Sequence, residues 1–296
     1  MRWDRIVALN LVRPLAASGV ISHGQALPIL MYHSISDDAE KGVGPYYRVA
    51  TSPRRFAAQM QLLSGLGYVG VSVEEALRTM SGGAAGGCRP VAITFDDGFR
   101  DFYTAAWPVL QAHKFSASMY LPTEFISSER KSFQGHECMT WDEVRELRAQ
   151  GVQFGSHTVS HPELYKIPWR EIEMEVGRSK EVIERELDEE ITGFGYPYAF
   201  PQQDPRFVGQ FKKLLESQGY DNCVTTRIGR VKSDDDHLSL RRLPVNSCDD
   251  DALFVAKLDG HYDRISIAQS CMRRMKTWAL RRSEYASAQT ADQRPI

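Results

Sequence analysis

The stretch Val91-Ala92-Ile93-Thr94-Phe95-Asp96-Asp97-Gly98-Phe99-Arg100-Asp101 sets an apolar run directly before two adjacent aspartates and a glycine. The run has the composition of a buried strand, and Asp-Asp-Gly has the composition of a turn, since Asp and Gly supply local hydrogen bonds and positive φ. A turn alone accounts for one such stretch. Two carboxylates at the end of a buried strand also suit chemistry, and the rest of the chain decides between these readings.

Working outward, strand-like and helix-like segments alternate. "LPILMYH", ending at His33, reads as a short buried strand, and "SPRRFAAQMQLLSGLG" as a helix with Ser52 as N-cap and Pro53 at its first position. "YVGVSV" is a strand, "SVEEALRTM" a helix opened by Ser72, and residues 82–87, "GGAAGG", a flexible loop before "PVAITF". "DFYTAAWPVLQAHKF" reads as helical despite Pro108, and "ASMYL" as a strand. "TWDEVRELRAQG" carries a capping box between Thr140 and Glu143, and "VQFGSH" follows it as a strand. The long charged segment "PWREIEMEVGRSKEVIERELD" keeps Ile172, Met174, Val176, Val182, Ile183 and Leu187 roughly on one face, its charges forming a solvated surface. "TGFGYPY", "RFVGQFKKLLESQG", "YDNCVTT" and "LSLRRLPV" continue as strand, helix, strand, strand. Such βα units imply an α/β protein with a parallel sheet, open or closed into a barrel.

The 296 residues, 42% of them hydrophobic and 25% charged, allow a large core. A net charge of -2 gives no general attraction to nucleic acid, which is not an expected partner. The five cysteines are scattered and include no CxxC pair, so neither a disulfide framework nor a cysteine zinc site is expected. The N-terminal apolar run is interrupted by Asn10, Arg13 and Pro14, which makes it a poor signal peptide and no membrane span. The chain is therefore expected in the cytoplasm, with loose membrane attachment as an option.

Polar and ionisable residues recur where strands end: His33, Asp96, Asp97, His157, His161 and Tyr198. In a parallel barrel those ends share one rim, where residues distant in sequence meet. The His157/His161 spacing in "GSHTVSHPEL" suits two imidazoles on one metal ion, while Pro162 and the lack of a Glu after His157 disfavour a zincin helix. One aspartate can complete a His2Asp triad with a position left for water, and the other can take that water's proton. His33, also at a strand end, is a candidate for proton transfer, because imidazole titrates near neutrality. His237 and His261 fall in polar loops and are expected to be exposed.

"TFDDG", "SHTVSH" and "GYPY", in this order, resemble the polysaccharide deacetylases of carbohydrate esterase family four, and the likeness runs from about Leu27 to about Tyr262. The resemblance implies a distorted (β/α)7-type barrel in a single catalytic domain, spanning 28–265 between an N-terminal extension, 1–27, and a C-terminal helix and tail, 266–296. It implies a metal triad of Asp97, His157 and His161, Asp96 as base, and the backbone amide of Tyr198 in an oxyanion hole. It also implies a divalent metal, with Zn2+ the first expectation, and N-deacetylation of an acetamido sugar in bacterial surface polysaccharide assembly.

Two departures stand out. The Arg that commonly opens the third motif is absent, so a basic partner for Asp96 is sought at Arg241 or Arg242. The late Leu-x-x-His motif is not evident either, and "MYHSI" and "GYPY" resemble the branch acting on biofilm and cell-surface polymers, in which the acid has moved to the position of His33. Rival readings are an amidohydrolase of a small non-sugar amide and a catalytically silent glycan-binding relative. The C-terminal segment "ISIAQSCMRRMKTWALRR" has helical spacing of Ile267, Cys271, Met275 and Trp278, and is expected to cover the barrel or to touch a membrane surface. The tail 283–296 lacks apolar periodicity and is expected to be disordered. No obligate protein partner is evident.

Overall fold

The computed structural model describes residues 3–12, 26–38, 40, 42–82 and 89–263. The expected C-terminal helix and tail, and nearly all of the loop 82–87, lie outside the described residues. The strands are β1 (Ile29–Tyr32), β2 (Tyr68–Val71), β3 (Arg89–Phe95), β4 (Ser118–Leu121), a small hairpin of β5 (Ser132–Phe133) and β6 (His136–Glu137), β7 (Gln153–Ser156), β8 (Gly193–Gly195), β9 (Asn222–Ile228) and β10 (Leu240–Pro244). The main helices are α1 (Pro53–Gly65), α2 (Val73–Gly82), α3 (Trp107–Ala112), α4 (Trp141–Ala149), α5 (Trp169–Leu187), α6 (Pro205–Ser217) and α7 (Asp251–Leu258).

All the long strands pair in parallel, and seven of them close a ring in the order β1-β10-β9-β8-β7-β4-β3, with β3 returning to β1. This is the (β/α)7-type barrel that the resemblance implied, where the alternation of elements alone allowed an open sheet as well. Its distortion lies at β3. Residues Arg89 to Ala92 pair with β2, whereas Thr94 and Phe95 pair with β4 on the same side, so β2 is an eighth strand wedged in at the amino end.

The period of two along each strand sorts side chains between the barrel interior and the helices. Val91, Ile93 and Phe95 join the large apolar cluster beneath the helices, while Ala92 joins Ile29, Tyr120, Val224 and Leu240 in the smaller inner cluster. Thr94, on the inner side, donates to the Leu30 carbonyl at 2.7 Å. In phase with Ala92 and Thr94, Asp96 therefore emerges inward at the carboxyl rim.

Helix starts follow the sequence signals. Ser52 accepts from the Arg55 amide, and Thr140 and Glu143 complete their capping box. Pro108 is accommodated by a π-turn, Phe102–Ala106, in which the Trp107 amide reaches back to the Phe102 carbonyl. The wider turn relieves the clash that Pro108 would make in a regular α-helix. In α5, Ile172, Val176 and Ile183 are buried as expected, but Met174 is 59% exposed and does not belong to the packed face. His261 is also unlike its expectation: it is buried at the end of α7, where its amide bonds the Ala256 carbonyl. His237 is half-buried. Residues 3–12 form a short helical segment beside α7, with Arg5 paired to Asp250 at 2.7 Å.

Glu143 ties α4 to the loop that carries β5 and β6. It accepts from Arg130 at 2.5 and 2.8 Å and from the Thr140 amide at 2.9 Å. Burial alone would raise its pKa, but these bonds and Arg100 bring it down to about 2. Its contribution is therefore present above the ordinary carboxylate pKa and is lost as pH falls through about 2. Thr140→Ala is expected to cost about 1 kcal/mol at neutral pH. Glu143→Gln is expected to flatten the acid limb of a Tm-against-pH curve relative to the parent; parallel limbs would remove this assignment.

Candidate active site

The loop after β3 explains how adjacent aspartates serve one site. Side chains at neighbouring strand positions point to opposite faces, but Asp97 has φ 72°, and this left-handed break turns its carboxylate to the same rim as that of Asp96. Three further non-glycine residues at the rim are also left-handed: Thr158 at 70°, His161 at 56° and Tyr198 at 54°. Such conformations cost about 1–3 kcal/mol each and concentrate where function requires a fixed geometry.

Asp97, His157 and His161 are buried together. His157 Nε2 lies 3.6 Å and His161 Nε2 3.3 Å from Asp97 Oδ1, and the two nitrogens are 3.2 Å apart. The His157 Nδ1–H donates to the Gly195 carbonyl at 2.6 Å, which leaves Nε2 with its lone pair directed into the cluster. A Cβ at Gly195 would come within 2.8 Å of the Tyr120 ring and 3.0 Å of His157 Nδ1, so only glycine allows this close approach.

The segment following His157 is not helical, as Pro162 implied; Thr158 accepts from the His161 amide at 3.0 Å. Glu175 of α5 clamps the same loop, accepting from the amides of Val159 and Ser160 at 2.8 and 2.9 Å. The sequence reading placed this carboxylate among solvated charges. Its helical position gave no sign that the loop's unpaired amides would turn to it.

These three residues fit a cation. Asp97 Oδ1 is buried with no hydrogen-bond partner among the described residues. Burial, reinforced by the charge of Asp96, raises the Asp97 pKa well above normal, so a positive charge is needed to keep it ionised. Burial also lowers both histidines, His161 to about 3 with His157 adding to the effect, which keeps the imidazoles in the neutral, ligating form. A tetrahedral zinc site with bonds of about 2.0–2.1 Å has ligand–ligand edges of about 3.4 Å, and the three observed separations bracket that value.

Asp96 is held apart from the triad. Arg242 grips it with both arms of the guanidinium, Nη1 to Oδ1 at 2.7 Å and Nη2 to Oδ2 at 2.8 Å. Arg242 is itself buried and fixed by the Thr225 carbonyl and by Thr94 Oγ1. Burial would raise the Asp96 pKa, but the charge and hydrogen bonds of Arg242, helped by His157 and His33, hold it well below the usual carboxylate range. Arg241 does not face Asp96. It points out of the barrel to Asp235 at 3.1 Å, so of the two sequence candidates only Arg242 reaches the base.

His33 Nε2 approaches Asp96 Oδ2 at 3.7 Å, close enough for a charge interaction and too far for a hydrogen bond. Burial pushes His33 down to about 4, with Asp96 opposing and Arg242 and His157 adding to the shift, so it rests neutral instead of titrating near neutrality. Tyr198 is 44% exposed and lays its ring 4.6 Å from that of His161. Phe133, from the β5–β6 hairpin, flanks the same imidazole at 5.1 Å. The sequence reading did not single out Phe133.

Comparison with protein families matches residues 83–219 to "Polysaccharide deacetylase". This chain carries a polysaccharide deacetylase domain over residues 83–219. It is accordingly a hydrolase of N-acetyl amide bonds. The matched region contains Asp96, Asp97, His157, His161 and Tyr198, whereas His33 and Arg242 lie outside it.

Among curated relatives, YxkH of Bacillus subtilis (strain 168), assigned by name to the polysaccharide deacetylases, is 29% identical over 74% of this chain and 71% of its own length. The poly-beta-1,6-N-acetyl-D-glucosamine N-deacetylase of Escherichia coli (strain K12) is 30% identical over 44% of this chain, which spans only 20% of that protein. Among solved structures, the Streptococcus pyogenes deacetylase PplD in complex with acetate superposes with a TM-score of 0.66 at 24% identity, covering 79% of this chain and 99% of that one, a likeness of fold.

Proposed function

We propose that this chain is a divalent-metal-dependent N-deacetylase of an N-acetylated sugar, nucleotide-linked, lipid-linked or polymeric, in bacterial surface polysaccharide biosynthesis. The observation that carries this reading is the pairing, on one rim, of the Asp97/His157/His161 cluster with a second carboxylate, Asp96, held ionised by Arg242. The reading includes a cytoplasmic setting, in which carrier-linked sugars are the available substrates. Among the described residues no helix is long and apolar enough to cross a membrane.

A divalent ion, zinc by first expectation, held by Asp97, His157 and His161 would polarise the acetamide carbonyl and make a water acidic at neutral pH. Asp96 takes the proton of the attacking water, its orientation fixed by the two-armed grip of Arg242. Its depressed pKa makes it a transient holder of that proton. The amide C–N bond breaks only as its nitrogen gains a proton, and His33, at 3.7 Å from Asp96 Oδ2, lies where it can carry one. Because His33 rests neutral, the proton it donates is the one released by the water. The backbone amide of Tyr198 meets the oxygen on which negative charge develops. The products are acetate and the free amino sugar.

The test is acetate release by the purified chain from three N-acetylhexosamine forms: a nucleoside-diphosphate sugar, a lipid-linked sugar and a β-1,6-linked oligomer. Release from at least one, abolished by chelation and restored by Zn2+, is expected. Release that survives complete metal removal would overturn the metal dependence. Turnover of a small non-sugar amide with none of the three would replace the sugar.

A further inference from the structure

The imidazole of His33 is too far from Asp96 for a hydrogen bond, so the backbone on either side must fix where it stands. On the β1 side, the Asp96 amide donates to the Tyr32 carbonyl at 3.1 Å. On the other side the anchor is Ser34, almost fully buried. Its carbonyl accepts from the Thr51 amide at 2.9 Å, and its hydroxyl donates to Asp101 Oδ2 at 2.5 Å. The Ser36 hydroxyl, 2.9 Å from that of Ser34, extends the chain of contacts.

Asp101 is unusual in how it uses its side chain. It lies in the first turn of the helical run that begins at Arg100, with φ -62° and ψ -21°, and its side chain makes no capping bond to its own helix. It reaches instead across to Ser34, and its other oxygen, Oδ1, is buried with no hydrogen-bond partner among the described residues. A buried unpaired carboxylate oxygen costs local stability. The compensation is geometric. Asp101 is on the same short segment as Asp96 and Asp97, so the contact ties the residue beside His33 to the residues that present the base and the triad carboxylate.

We infer that the Ser34–Asp101 contact sets the position of His33 against Asp96, which makes Asp101 a positioning residue for protonation of the leaving amine. This rests on the reading of His33 as the proton donor.

The experiment compares Ser34→Ala and Asp101→Asn, each alone and combined with His33→Ala, on an N-acetylated sugar and on a phenyl acetate ester whose leaving group needs no proton. Both single variants are expected to lower kcat on the acetamide, Ser34→Ala by roughly tenfold and Asp101→Asn by less, since misplacement of a catalytic group by about an ångström has effects of this order or larger. KM and metal content should stay near the parent values and ester turnover should change by less than about twofold, while Tm falls in Ser34→Ala because Asp101 Oδ2 loses its partner. In the His33→Ala background neither variant should slow the enzyme further, the non-additivity expected of residues that act through one another. Ser34→Thr, which keeps the hydroxyl, should restore turnover.

Equal losses on amide and ester, or losses that add to that of His33→Ala, would overturn the inference. A slow His33→Ala enzyme with fully active Ser34→Ala and Asp101→Asn would overturn it while leaving the donor role of His33 intact. Undiminished acetamide turnover by His33→Ala would overturn the donor role and the inference together.

Discussion

His157→Ala is expected to lose its bound divalent metal and its deacetylase activity together, with turnover falling to background. His157 is the member of the triad whose lone pair is most firmly directed, because its other nitrogen is committed to the Gly195 carbonyl at 2.6 Å. Removing the imidazole takes away one of three potential donor atoms that lie within 3.6 Å of one another. It also leaves that buried carbonyl unpaired, at a cost of about 1–3 kcal/mol, so a lowered Tm is expected beside the chemical loss. Elemental analysis of the purified variant, with Tm and acetate release measured on the same preparation, separates the effects. A folded variant with full metal occupancy would remove His157 from the triad.

Asp96→Asn is expected to keep the metal while kcat falls by roughly two to four orders of magnitude, the range for loss of a general base. The amide is nearly isosteric with the carboxylate and can still accept from one arm of Arg242, but it has no charge with which to hold a proton. Arg242→Ala is a poorer probe of the same step, since it leaves Asp96 buried without its ion-pair partner, a change that costs about 3–5 kcal/mol in fold stability. Metal content separates the two carboxylates: Asp97→Ala should lose the ion and Asp96→Asn should not. Equal loss in both variants would show that the roles of the pair are exchanged or shared.

The alternation of strands and helices was legible because its signals are local, while closure into a barrel came from the resemblance. Each βα unit carries its own period and its own cap, as Thr140 and Glu143 show, and parallel strands joined by helices leave few architectures open. That an aspartate could join His157 and His161 was legible because strand ends share a rim, while the choice of Asp97 over Asp96 came from the resemblance. What could not be read depended on contacts between distant segments. In "LRRLPV" the period of two says that one arginine faces inward and its neighbour outward, but the phase comes from pairing with β9 and β1, and only that selects Arg242. Glu175 was lost for a similar reason, since a helical carboxylate that clamps a loop has the same local pattern as one in solvent. The low pKa of His33 needed its burial and its closeness to Arg242, neither of which a lone histidine in "MYHSI" reveals.

The ring is closed by the first and last strands of the barrel, β1 against β10, and each brings something to Asp96 that the strand carrying it does not. His33 directly follows β1, and β10 holds Arg242. During synthesis the ribosome delivers Asp96, Asp97 and both metal-facing histidines well before Arg242, so a nascent chain contains the triad residues before it contains the grip on the base. On the proposed roles hydrolysis would wait for the final strand to dock, and a product truncated before residue 240 is expected to be inert even with Asp97, His157 and His161 in place.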